Sequence, residues 1–153
     1  MHIEAGRPGP APATAVSSET AFVLDAHEAR MLAEVGMLAA GAADAARAER
    51  IFGALRRLRP GRAYPWLGLA LARANSGQAD QAAQLLEGAR LDDAQEAAIL
   101  QAWRGLVLQL AGRRDESRKV LAAAAAMHGE GAELARRLLG GDPASPARQA
   151  ADT

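Results

Sequence analysis

The stretch AERIFGALRRLRPGRAYPWLGLALARANSGQADQAAQLLEGA, residues 48–89, decides the fold. Ala48-x-x-x-Phe52 at its start returns as Ala82-x-x-x-Leu86 near its end, an offset of 34 residues. The same offset carries Leu32-x-x-Val35-Gly36 onto Trp66-x-x-Leu69-Ala70. An offset of 35 then carries Gly77, Ala82, Leu86 and Ala89 onto Gly112, Ser117, Leu121 and Ala124. Periods of this size mark stacked supersecondary units. Small residues that recur beside large ones suit helices that approach closely and fill the remaining gap with one bulky side chain.

Punctuation around the stretch divides it into helices. Asp25 and Glu28 have capping-box spacing and open a helix through Met31, Leu32, Val35 and Leu38 to Gly41. Asp44 is placed to cap the next, which carries Ile51, Phe52, Leu55 and Leu58 and stops before Pro60. Pro65 falls in a first helical turn, where its missing N–H costs nothing, and that helix ends near Gly77. Further helices follow from Gln78 to Arg90, from a second capping-box spacing at Asp93 and Glu96 to Ala111, and from Arg114 to Met127. A short last one covers Glu130 to Leu139. The short loops between them make neighbours pack antiparallel.

Composition agrees. Of the 153 residues, 40 are Ala and 19 are Leu, against three Ile, five Val, two Phe, two Trp and one Tyr. Ala and Leu favour helix, and the β-branched and aromatic residues that suit a pleated surface are scarce. The fold class is all-α. Residues 1–16 and 140–153, rich in Pro, Gly and Ala, are expected to be disordered tails around a helical domain at 17–139.

Function classes narrow by chemistry. Eighteen basic residues balance eighteen acidic ones, so no global field draws the chain to nucleic acid or anionic lipid. Zero net charge also removes self-repulsion, which makes a homodimer an expectation for the unliganded protein. No cysteine is present, so thiolate metal sites and nucleophiles are excluded. The start lacks a secretory pattern and no window is apolar enough to span a membrane, which implies a soluble, cytoplasmic protein. His2, His27 and His128 stand apart, and His27-Glu28 is not followed by the second His of a zinc helix. Asp92-Asp93 reads as a helix cap. The run Arg56-Arg57-x-Arg59-x-x-Arg62 could bind phosphate, but it sits where a helix C-terminus attracts cations. The expectation is a protein that is no enzyme and needs no cofactor.

The repeated positions resemble the tetratricopeptide repeat. Leu32, Val35, Gly36, Ala48, Phe52 and Pro60 match its signature in a first repeat at 29–62. Trp66, Leu69, Ala70, Ala82, Leu86 and Ala89 match it in a second at 63–96. Gly105, Ser117, Leu121 and Ala124 match it in a third at 98–129, with Glu130–Leu139 as a capping helix. In the third repeat Gln101 and Arg104 fall where apolar residues belong. A shift of one restores Leu100 and Trp103 but loses Gly105, and both registers stay open.

The segment IFGALRRLRPGRAYPWLGLALARANSGQADQAAQLL, residues 51–86, further resembles the tetratricopeptide chaperones of bacterial type III secretion. The resemblance implies that the first helix of each pair lines a concave groove. Carried over, the positions are Arg30, Ala33, Met37, Ala40 and Gly41; Tyr64, Leu67, Leu71, Ala74 and Asn75; and Ile99, Ala102, Leu106, Gln109 and Leu110. Of these, Met37, Tyr64, Leu67, Leu71, Asn75, Ala102, Leu106 and Gln109 are the expected contacts for an apolar partner segment. Ala33 and Met37 stand where some relatives carry the Lys and Asn of a carboxylate clamp. The implied partner is a hydrophobic translocator or needle subunit, with no nucleic acid and no membrane insertion. The alternative is a general tetratricopeptide scaffold that joins the members of a complex.

Overall fold

Seven helices follow one another without a strand among the described residues, which in this computed structural model are 24–141. They are α1 (Ala26–Gly41), α2 (Ala45–Leu58), α3 (Tyr64–Asn75), α4 (Ala79–Gly88), α5 (Ala94–Leu110), α6 (Arg114–Ala125) and α7 (Glu130–Gly141). The expected N-terminal tail at 1–16 and residues 17–23 lie outside the described residues. So does the expected C-terminal tail, apart from Gly140 and Gly141, which continue α7.

Local chemistry sets the helix starts. Asp25 and Glu28 form a reciprocal capping box: the Glu28 N–H donates to Asp25 at 2.8 Å and the Asp25 N–H to Glu28 at 3.0 Å. Asp44 accepts the Arg47 N–H at 3.2 Å. Asp93 accepts from Gln95 and Glu96 at 2.9 and 3.0 Å, but the expected second box is only half made. The Glu96 carboxylate leaves its own helix and accepts the backbone N–H of Ala63 at 2.7 Å, at the start of α3. That helix has Pro65 in its first turn and no side-chain cap of its own.

The turns that close the first three pairs share one backbone solution. Ala43, Gly77 and Gly112 all have positive φ, at 59°, 78° and 77°. Around each, two N–H groups reach back to the preceding helix: Ala43 to Ala40 and Asp44 to Ala39, Gly77 to Ala74 and Gln78 to Arg73, Gly112 to Gln109 and Arg113 to Leu108. These bonds satisfy carbonyls that the helix end leaves without partners. The 34- and 35-residue offsets of the sequence are thus offsets of conformation.

Odd-numbered helices form a continuous row, α1 against α3, α3 against α5 and α5 against α7. Each even-numbered helix fills the angle between its two odd neighbours. The contact between α3 and α5 is the thinnest along the row. Ala48 and Ala82 are fully buried, and Ser117 takes the same place in the third pair, its hydroxyl donating to the Gly105 carbonyl at 2.7 Å. Gly36 lies so close to Phe52 that a Cβ would come within 2.9 Å of its ring, and Gly105 lies against Leu121 in the same way. Gly105 thus stands in α5 as Gly36 stands in α1, each against a large side chain of the following helix. Arg104 is then accommodated by Glu87 at 3.3 Å and Gln101 at 3.5 Å, and Leu100 and Trp103 pack against the α3–α4–α5 core.

Candidate functional site

A cavity of about 490 Å³ lies on the odd-helix row, between α1 and the facing residues of α3 and α5. Ala26, Ala29, Arg30, Ala33 and Met37 of α1 form one wall, and Tyr64 and Leu67 of α3 with Trp103 of α5 form the other. Phe52 contributes from α2, and Arg59 and Arg62 come from the loop into α3. Small residues on α1 create the space: four of the five α1 side chains, Arg30 excepted, are Ala or the flexible, apolar Met. Met37 is 40% exposed, so the wall can be reached from outside.

Three guanidinium groups border this apolar space, and among the described residues no carboxylate lines it. Each is held from outside. Arg30 pairs with Glu34 at 3.5 Å, Arg59 donates to the Leu24 carbonyl at 2.9 Å, and Arg62 pairs with Glu96 at 3.2 Å. Glu96 therefore links the cavity rim to the start of α3, the helix that delivers Tyr64 and Leu67. Such a site suits an apolar side chain with an acidic neighbour: the wall desolvates the first and the rim attracts the second.

The expected groove residues divide. Met37, Tyr64 and Leu67 meet at the cavity, together with Arg30 and Ala33 of the wider set. Leu71 instead packs against the core that holds Phe52 and Leu69. Asn75 donates its side-chain amide to the Ala40 carbonyl at 3.0 Å and so ties α3 to α1. Leu106 and Gln109 are half-buried further along α5, away from the cavity. Ala102 is fully buried with Leu121, Ala124 and Ala135, covered by α7, and is not offered to a partner. The reason is Gly131: its missing Cβ lets α7 lie directly on the Ala98–Ile99 backbone of α5.

Sequence reasoning missed Ala26, Ala29, Phe52, Arg59, Arg62 and Trp103. For Trp103 the alternative register of α5 was the available signal, since a large aromatic there needs a place to go. The basic run 56–62 does not act as one patch. Arg56 stacks over Trp66 at 4.7 Å, Arg57 is exposed, and Arg59 and Arg62 turn to the cavity. Among the described residues no cluster of His, Cys, Asp and Glu could hold a metal ion, and no helix is long and apolar enough to cross a membrane.

A second apolar surface lies on α1 away from the cavity. Met31, Val35 and Leu38 follow helical spacing on one face, and all are exposed, Leu38 at 74%. No protein-family model matches the chain, and neither a curated protein nor a solved structure does.

Proposed function

We propose that this protein is a tetratricopeptide-like binding protein of the type III secretion chaperone kind, holding an apolar segment of an export partner on its odd-helix row. The observation that carries the reading is the cavity of about 490 Å³, apolar in its walls and reachable past Met37. The recurring turns at Ala43, Gly77 and Gly112 and the Gly36–Phe52 and Gly105–Leu121 contacts support the repeat assignment. In this reading the partner is a hydrophobic translocator or needle subunit, kept soluble in the cytoplasm before export. Binding is the whole activity; no catalytic step and no cofactor are involved, and neither nucleic acid nor membrane is a partner. One buried Leu or Phe of the partner contributes roughly 1.5–3 kcal/mol, so a few anchors offset the ordering costs of association.

Co-purification from the native host with mass spectrometry identifies the partner, and co-expression pull-downs then test the site. Met37→Asp places a carboxylate in the apolar wall and should abolish retention while helix content stays unchanged by circular dichroism. Arg57→Ala, exposed and away from the cavity, should retain the partner fully. Leu71→Asp is the poorer probe, because Leu71 supports the Phe52 core. The stripe Met31, Val35 and Leu38 favours a second reading, a scaffold that docks flat surfaces or a second copy of itself. A folded Met37→Asp protein that keeps its partner would promote that reading over the cavity.

A further inference from the structure

Taking the cavity as the partner site, we infer that the segment held there carries a carboxylate within about three residues of its apolar anchor, and that Arg59 selects it. The charges on the cavity rim are met unequally. Glu34 pairs with the Nε of Arg30 at 3.5 Å, and Glu96 with the Nε of Arg62 at 3.2 Å. Arg59 has a neutral partner instead: one of its terminal nitrogens donates to the Leu24 carbonyl at 2.9 Å. Among the described residues no carboxylate pairs with Arg59, so the three guanidiniums of the lining meet two acids. An unmatched positive charge is left beside apolar walls.

Arg59 is also held in place before any partner arrives. It stands at the C-cap of α2, where its N–H donates to the Leu55 carbonyl at 2.7 Å, and its guanidinium is tied to Leu24. The residue is half-buried, whereas Arg57 two positions earlier is exposed. A fixed, partly desolvated guanidinium with free N–H groups gives up little freedom on meeting an oxygen anion, and such charge-assisted bonds are the stronger kind.

A polypeptide segment can supply both groups at once. A volume of about 490 Å³ is on the order of 8–10 Å across, which two or three residues of extended chain span at about 3.3–3.6 Å each. An apolar side chain against Ala29, Ala33 and Met37 thus brings its near neighbours to the arginine rim. There an Asp or Glu finds a counter-charge, and a Lys or Arg is repelled. The walls alone attract any apolar group, because burial has no direction; the rim lets the site choose among apolar segments.

The test selects a random peptide display library on the full chain, with counter-selection on Met37→Asp so that only cavity-dependent binders count. Circular dichroism confirms that each variant is folded. Wild type should enrich Leu, Phe or Met with an Asp or Glu within three residues, and the acid should be worth roughly tenfold in affinity over its amide at low salt. Arg59→Gln can still donate to Leu24, so it should keep the apolar preference and lose the acidic one. Arg59→Lys keeps the charge and should keep most of the acidic preference, as should Arg57→Gln on the exposed surface. Enrichment of apolar residues without acids would overturn the inference and leave the cavity standing as the partner site. So would an acidic preference that Arg59→Gln does not change. A matched dye pair, the anion anilinonaphthalene sulfonate and the neutral N-phenyl-1-naphthylamine, covers the other occupant. If no peptide is enriched but wild type prefers the anionic dye and Arg59→Gln does not, the site takes a small amphipathic anion, and the segment assignment fails. If neither peptides nor dyes depend on Met37, the partner-site reading fails with it.

Discussion

The Glu96 carboxylate accepts the backbone N–H of Ala63 at 2.7 Å, 33 residues back along the chain. An acid in the first turn of α5 thereby caps the N-terminal end of α3, which has no side-chain cap of its own. Ala63 is almost fully buried, so without Glu96 its N–H would lose its partner away from water. Glu96→Ala should therefore destabilise the fold by about 1–3 kcal/mol in urea denaturation. Glu96→Gln keeps an acceptor oxygen and gives up only a partly exposed ion pair with Arg62, so it should cost less than about 1 kcal/mol. Equal losses for the two variants would show that charge, and not the hydrogen bond, is what matters.

Ala43 stands at a left-handed backbone position that Gly77 and Gly112 fill in the equivalent turns. For an L-residue with a side chain this conformation costs roughly 1–2 kcal/mol, of which Gly returns part through its own larger loss of freedom. Ala43→Gly should raise the thermal midpoint by about 1–4 °C. The reverse change, Gly77→Ala, should lower it.

Gly68 faces Phe52 across the α2–α3 contact, and a Cβ added there would fall inside the ring's van der Waals surface. Phe52 is buried and is already held against Gly36 on its other side. Gly68→Ala should cost about 1–3 kcal/mol through overpacking. Gly53, one residue after Phe52, meets nothing within 4 Å, so Gly53→Ala should stabilise α2 by roughly 0.5–1 kcal/mol. Denaturant midpoints moving in opposite directions would distinguish packing from helix propensity.

The stripe of Met31, Val35 and Leu38 predicts self-association of the partner-free protein. Leu38→Lys, or Val35→Lys, should shift the population toward monomer in sedimentation velocity without changing helix content. A monomeric wild type at high micromolar concentration would remove the expectation.

Arg113 bridges the last two helix pairs, donating to Glu116 at 2.8 Å and to Asp80 at 3.3 Å. The hydrogen bonds from Arg113 hold the Glu116 carboxyl below its ordinary range, with the positive charges of Arg113, Arg104 and Lys119 acting in the same direction. Because the native value is depressed, the charged form contributes stability above the unfolded value. That contribution is lost as pH falls through the native one. A carbon-detected titration should find Glu116 ionising below the ordinary carboxylate range, and Arg113→Ala should return it to that range.

What the sequence determined by itself was everything that depends on neighbours within about one helical turn. Asp25, Asp44 and Asp93 cap helices because a short carboxylate reaches an N–H two or three residues on. Gly77 and Gly112 close turns because the backbone there needs positive φ, and the Ala- and Leu-rich composition left helices as the only regular element among the described residues. The 34- and 35-residue offsets were legible because a repeated contact, such as Gly36 on Phe52, selects the same residue sizes each time. Tertiary structure alone decided which faces stay open. Ala102 and Met37 read alike as positions facing inward, yet Gly131 lets α7 cover Ala102, and among the described residues no comparable helix covers Met37. Likewise Glu96 has the spacing of a local cap and serves a helix 33 residues away, and the arginine run separates into a stacking residue and two cavity residues. Coverage and partner choice depend on which helices meet across the row, and residues far apart in sequence set that.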